Sequence, residues 1–237
     1  MKFARPEVFP YARFKISGTE NIPTDGAAII CGNHRSYFDI AAVSLAVAKT
    51  GRAVRFLGKK EVFDAPVIGP LAAALGGIRV ERGTGSDEPL RAATESLVAG
   101  DLVALMPQGT IPRGRAFFDP VLKGRWGAAK LAAQTKAPVI PIGIWGTEKV
   151  WPRNAKLPNI TNVTSPPDVI IVVGAPVPLS YTDADADTAA IMAAISALLP
   201  PEGREHYEPT EDELRRSYPS NYKGDPNAED DRRPGTD

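Results

Sequence analysis

Short runs rich in Val and Ile alternate along this chain with longer Ala-rich segments, and no other feature restricts its fold as much. Apolar runs of five to seven residues suit strands buried on both faces, and the Ala-rich stretches between them suit covering helices. Strands are expected at 26–31 (GAAIIC), 53–58 (AVRFLG), 77–81 (GIRVE), 102–106 (LVALM), 138–144 (PVIPIGI) and 169–174 (VIIVVG). Helices are expected at 37–48, 67–75, 88–99, 123–135 and 184–199, the last opened by the cap-forming, acidic run TDADAD. The fold class is therefore α/β: a single domain with a central, mostly parallel or mixed β-sheet flanked by helices. No internal repeat is present.

The chain of 237 residues suffices for one core without staples. After LLPPEG the composition turns polar and charged with few core candidates. Residues 1–200 are read as the folded domain and 201–237 as a polar, acidic C-terminal tail, flexible or wrapped on the surface. The 28 basic and 28 acidic residues balance, and nothing in the total points to nucleic acid. The charge is unevenly placed: from Pro201 onward there are 11 acidic and 6 basic residues, which leaves 17 acidic and 22 basic before it. A modestly cationic body fits an anionic substrate or a membrane surface. One cysteine, Cys31, excludes an internal disulfide and suggests a reducing compartment, and two histidines are too few for the common zinc sites.

No stretch of about 18 uncharged apolar residues is available to cross a bilayer, and the N-terminus lacks the apolar core of a signal peptide. The expected location is cytoplasmic. The two sequons at 159 and 162 are then read as chance matches.

Three loops carry candidate chemistry. In GNHRSYFDI, His34 precedes Asp39 by five residues, about 140° of helical rotation, so the two meet only if His34 lies in a turn before the helix. With Ser36 as N-cap and Asp39 in the first helical turn, the carboxylate can orient the imidazole as a base for a hydroxyl. The bland alternative is a capping box, since Ser36 and Asp39 fit S-x-x-[DE]. In GGIRVERG, Arg79 and Arg82 flank a strand end and could hold a phosphate bidentately, or simply guard an edge. In LMPQGTIPRGRA, Gly109 and Gly114 have P-loop spacing, but Arg115 and Ala116 stand where Lys and Ser/Thr would be needed, which disfavours a nucleotide triphosphatase. A Gly-Thr turn can still offer N–H groups and a hydroxyl to an anion. The broken apolar stretch 61–78 is read first as a buried helix, with an acyl pocket or a lipid-dipping segment as the alternative.

Together these stretches resemble the glycerolipid acyltransferases of the 1-acylglycerol-3-phosphate (PlsC) type. NHRSYFD matches that family's first block, the HxxxxD motif; GGIRVER its second; MPQGT its third; and VIPIGI, with Pro141, its fourth. The four follow in order about 30 to 45 residues apart, and the similarity spans residues 13 to 180. The resemblance implies a phospholipid-biosynthetic acyltransferase with His34 as general base and Asp39 orienting it. Arg79, Arg82, Gln108, Gly109, Thr110 and Arg113 would then surround the acceptor's phosphate. It implies an acyl-donor thioester, acyl-CoA or acyl-carrier protein, as co-substrate, a lysophospholipid acceptor, no other cofactor and no metal. It also implies peripheral attachment to the cytoplasmic membrane face, through the aromatic FPYARF or the 61–78 stretch. Two positions depart from the pattern: Gln108 replaces the usual Glu, and Ile111 the usual Arg, with Arg113 or Arg115 placed to reach back. Two other readings stay open, a hydrolase with Ser36 as nucleophile, although no G-x-S-x-G is present, and a non-catalytic lipid-binding paralogue.

Overall fold

The computed structural model describes residues 6–59, 64, 77–80 and 88–223. The expected helix at 67–75, Arg82, most of the 61–78 stretch and the tail from 224 lie outside the described residues.

Seven strands among the described residues form one sheet: β1 (Arg13–Ser17), β2 (Ala28–Gly32), β3 (Val54–Lys59), β4 (Ile78–Val80), β5 (Leu102–Leu105), β6 (Val139–Trp145) and β7 (Asp168–Val173). Their spatial order is β1-β7-β6-β2-β5-β3-β4, and every pairing is parallel except β6 with β7. Helices with bounds among the described residues are α1 (Asp39–Ala48), α2 (Glu88–Val98), α3 (Gly127–Thr135), α4 (Thr147–Val150), α5 (Ala184–Ala197) and α6 (Glu211–Arg216). The expected α/β class and mixed sheet are what the chain forms.

Strand β2 is buried along its whole length and shows why a continuous apolar run is needed there. Its side chains alternate between two cores. Ala28 and Ile30 join α1 residues Ala42, Val43, Ala46 and Val47 on one face. Ile29 and Cys31 meet Ala93 and Leu97 of α2, Leu131 of α3 and Ile191 and Ile195 of α5 on the other. Burial pushes the Cys31 thiol far up from its ordinary pKa, so it packs as a small apolar group. Asp183 caps α5 by accepting from the backbone N–H groups of Asp185 and Ala186, as the acidic run before it suggests.

Two features depart from the sequence reading. Edge strand β1 was not expected, because RFKIS alternates charged and apolar residues instead of forming an apolar run. Arg13 and Lys15 on it both bind Asp168, and these hydrogen bonds, Lys15 first, hold that carboxyl below its ordinary pKa. Helix α3 begins at Gly127, not 123, since Arg125 N–H donates to the Pro107 carbonyl at 2.8 Å and keeps that segment extended along the loop after β5. The start of the tail is also structured. Thr210 and Glu213 form a reciprocal capping box on α6, and Leu214 and Tyr218 are only 2% and 3% exposed. Residues 201–223 thus wrap the surface and contribute buried side chains, although their composition suggested few.

The site-bearing loops all leave the carboxyl ends of the sheet's middle strands. β2 lies between β5 and β6 and runs parallel to both. The segments after β2 (33–38), β5 (106–113) and β6 (146–151) are therefore neighbours, the position where open α/β sheets hold ligands. Pro141 is tolerated in central β6 because it lies opposite Gly174 where the pairing with β7 ends: its carbonyl still accepts the Gly174 N–H at 2.9 Å, and only the reciprocal bond is lost.

Candidate active site

Beyond Gly32, Asn33 continues the pairing of β2 with β6 through its side chain. Its amide donates to the Ile144 carbonyl and accepts from the Ile144 N–H, both at 2.8 Å. The backbone is thereby released to turn. His34 then sits in the turn and Asp39 is the first residue of α1, the arrangement their spacing demands.

His34 Nδ1 lies 2.8 Å from Asp39 Oδ2. The same oxygen accepts the backbone N–H groups of Arg35 at 2.7 Å and Ser36 at 2.9 Å, while Oδ1 accepts the Thr147 hydroxyl at 2.5 Å. Asp39 is fully buried, and an uncompensated carboxylate there would be costly. Four donors meet it, and the positive end of α1 adds to them. Because an acceptor-only oxygen faces Nδ1, that nitrogen carries the proton and Nε2 presents a lone pair. An imidazole held this way can take a proton from a hydroxyl brought against Nε2. The His34 side chain keeps 20% of its surface exposed, against none for Asp39.

The capping-box alternative is realised by half. Asp39 accepts from Ser36 N–H, but Ser36 Oγ accepts from Phe38 N–H at 3.0 Å instead of capping α1, where Phe38 occupies the N-cap position. The Ser36 hydroxyl donates to the Trp151 carbonyl at 2.7 Å and the residue is completely buried, so the reading of Ser36 as a nucleophile is overturned.

Gln108 occupies an unexpected place. Its side-chain carbonyl accepts the backbone N–H of His34 at 2.7 Å, tying the loop after β5 to the turn that carries the imidazole. A glutamate could accept the same bond, so the Gln-for-Glu departure keeps this contact. Gly109 turns the chain at φ 72°, with its N–H on the Met106 carbonyl at 2.8 Å, which suits glycine. Gln108 and Thr110 face a common cleft with Arg113 and Arg115. Arg113 lies over the rings of Tyr218 and Tyr222, 6.0 and 5.8 Å from their centroids, and Arg115 pairs with Glu208. Ile111, at the position of the family's arginine, is buried, and its carbonyl accepts from Arg153. Arg79 falls on edge strand β4, three strands from β2, roughly 14 Å at the usual spacing.

Sequence reasoning missed Asn33, Arg35, Thr147 and Arg153. Arg35 lies between the rings of Phe117 and Trp145, 4.3 and 4.1 Å from their centroids, with Glu148 3.2 Å from its Nε, so it joins three loops. Thr147 is delivered to Asp39 by Gly146, whose φ of 88° and approach to the Asp168 carbonyl leave no room for a Cβ. The sequence GT after the fourth block was the available signal.

The buried carboxylate that fixes a histidine at the end of the central strand lies within a stretch of the chain that a family model matches. The chain belongs to the Acyltransferase family, whose model matches residues 13–145. It is 28% identical over 191 residues to the chloroplastic 1-acyl-sn-glycerol-3-phosphate acyltransferase BAT2 of Brassica napus, covering 79% of this chain and 52% of that protein. An uncharacterized protein of Mycobacterium tuberculosis is 34% identical over 151 residues, 59% of this chain and 39% of its own. The chain thus spans about two fifths of the length of the mycobacterial relatives it matches. The crystal structure of the 1-acyl-sn-glycerophosphate (LPA) acyltransferase PlsC from Thermotoga maritima superimposes with a TM-score of 0.61 at 25% identity, covering 83% of this chain and 76% of that one.

Two substitutions test the geometry. Thr147→Val removes a donor from a buried carboxylate and is expected to cost about 2 kcal/mol of stability, measured by urea unfolding. Gln108→Leu should lower the catalytic rate while Gln108→Glu retains it, as read from steady-state kinetics alongside thermal unfolding.

Proposed function

We propose that this protein transfers a fatty acyl group from a thioester, acyl-CoA or acyl-carrier protein, to the free hydroxyl of a lysophospholipid. The favoured acceptor is 1-acyl-sn-glycerol 3-phosphate, giving phosphatidate in phospholipid biosynthesis. The carrying observation is the His34–Asp39 pair, in which a buried, four-donor carboxylate fixes the tautomer of a partly exposed imidazole. His34 Nε2 takes the acceptor's hydroxyl proton as the oxygen attacks the thioester carbonyl. The tetrahedral adduct collapses, the C–S bond breaks, and the imidazolium returns the proton to the departing sulfur. No covalent enzyme intermediate, metal or further cofactor is required in this scheme. The relatives named as 1-acyl-sn-glycerol-3-phosphate acyltransferases support the choice of acceptor. Ile111, an apolar residue in the family's phosphate-binding block, favours a second reading: a different lipid or glycolipid acceptor served by the same base.

Among the described residues no helix is long and apolar enough to cross a membrane. We place the protein peripherally on the cytoplasmic membrane face. The N-terminal aromatics expected to serve this end are used internally: Phe9, Tyr11 and Phe14 all pack on Phe38, with centroids 5.3, 6.2 and 6.0 Å from it. The segment following α4 is better suited, since Leu157, Ile160 and Val163 are 74%, 59% and 51% exposed. It begins beside Trp151, whose ring lies 5.5 Å from that of exposed Tyr37 in the turn before α1, so lipid contact there would bring the site to its substrates.

His34→Ala is expected to lower the transfer of palmitoyl groups from palmitoyl-CoA to 1-oleoyl-glycerol 3-phosphate by about 10² to 10⁴-fold in a variant that still unfolds cooperatively, less stable by about 1 to 3 kcal/mol for the donor lost from Asp39; undiminished transfer would refute the mechanism. Replacing Leu157, Ile160 and Val163 together by Ser should reduce co-sedimentation with anionic phosphatidylglycerol vesicles, leaving thermal unfolding where it was.

A further inference from the structure

Arg35 directly follows His34, and Glu148 directly follows Thr147, whose hydroxyl meets Asp39 Oδ1. The Arg35 backbone N–H meets the other oxygen of the same carboxylate. The side chains of Arg35 and Glu148 then face each other at 3.2 Å. They close a ring of contacts that runs from Asp39 through the turn, across the ion pair and back through α4.

Stability alone does not account for the pair. Its side chains are only 13% and 18% exposed, and Arg35 Nε and Glu148 Oε2, both buried, approach without completing a hydrogen bond. A buried ion pair seldom recovers its desolvation cost, and an apolar pair of the same volume would fill the space at least as favourably. What the guanidinium has and an apolar side chain lacks is a charged plane. It is confined between the Phe117 and Trp145 rings, 4.3 and 4.1 Å from their centroids, and Glu148 sets its direction within that slot. The slot is itself backed: a Cβ on Gly203 would lie 2.8 Å from Trp145 Cζ3, so the C-terminal segment packs directly on that ring. Arg35 thus ties the turn to residues 114–117 after β5, to the end of β6 and to α4.

We propose that Arg35 and Glu148 are positioning residues. By clamping the turn to α4 they hold the Arg35 N–H and the Thr147 hydroxyl on Asp39 together, and through that carboxylate they keep His34 as its Nδ1–H tautomer with Nε2 ready to accept a proton. The inference rests on the acyl-transfer reading for its kinetic arm, whereas imidazole ¹⁵N NMR of the full chain reads the tautomer without turnover. The chain has two histidines, so His206→Gln assigns the His34 signals. Recorded at a pH above the histidine range, they should report one tautomer in the parent protein, protonated at Nδ1. In the double variant Arg35→Met with Glu148→Gln they should move towards the average of two tautomers, while kcat falls about 10- to 100-fold at unchanged KM for both substrates. The unfolding temperature should stay the same or rise, because no charge is left buried alone. A pair with only a structural role would instead lower activity and unfolding temperature together.

Two single variants support the test. Arg35→Lys keeps the charge without the planar group and should not restore the parent signals. Glu148→Gln removes the charge at Oε2, where no hydrogen bond is made, and should move both readouts the same way by less, which serves if the double variant does not fold. Unaltered His34 signals in these variants overturn the proposal, as do signals already averaged in the parent or an unaltered kcat in an active protein. A rise in KM at constant kcat overturns it too, since Arg35 would then be acting on a substrate. Absent transfer in the parent together with shifted His34 signals in the variants would refute the function and leave the clamp standing.

Discussion

Everything in this site hangs on the Asp39 carboxylate. It is fully buried, and donors meet both of its oxygens: one takes the imidazole and two backbone N–H groups of the preceding turn, the other the Thr147 hydroxyl. The first three donors come from the same six-residue stretch, so the carboxylate shapes the turn as well as the tautomer. The fourth comes from the far end of β6. Removing any one donor would expose the cost of the buried charge, which makes the turn rigid by mutual dependence.

The neighbouring loops repeat this logic with different chemistry. Asn33 replaces a stretch of strand pairing with two side-chain hydrogen bonds to Ile144, and Ser36 bonds to the carbonyl of Trp151. Arg35 is held between Phe117 and Trp145, and Gln108 holds His34 from the other side. Four consecutive residues, 33 to 36, thus each bond to or pack against a segment distant in sequence. The general base proposed for His34 needs its position set to within tenths of an ångström, and that density of contacts is suited to the task.

The two departures from the family pattern carry different weight once the contacts are known. Gln108 keeps an acceptor for a backbone N–H, so the amide is a modest change. Ile111 is a larger one, because a buried aliphatic side chain cannot offer a cation. The guanidinium of Arg153, bound to the carbonyls of residues 111 and 112, brings positive charge back to that loop from 42 positions further along the chain. The C-terminal segment meets the same region: its composition suggested a tail flexible or wrapped on the surface, and in the structure Leu214, Ser217 and Tyr218 are buried while residues 206–209 line the cleft beside Arg115.

The β2 run AAIIC, the Ala-rich helices and the order of the four blocks were legible because apolar periodicity and local turn chemistry are written in neighbouring residues. The spacing of His34 and Asp39 likewise required a turn before a helix, and that turn is present. Strand β1 was hidden, since its alternating charges resemble a surface segment until β7 pairs with it. Thr147, Arg153 and the second role of Gln108 were hidden for a related reason. Their meaning depends on β2 lying between β5 and β6, a strand order fixed by the packing of two cores and not by any local pattern. The sequence by itself determined which residue types the chemistry has available and that they sit at strand ends. Only the tertiary structure decided which of them meet, because hydrogen bonds between segments more than 70 residues apart form only after the sheet has brought those ends side by side.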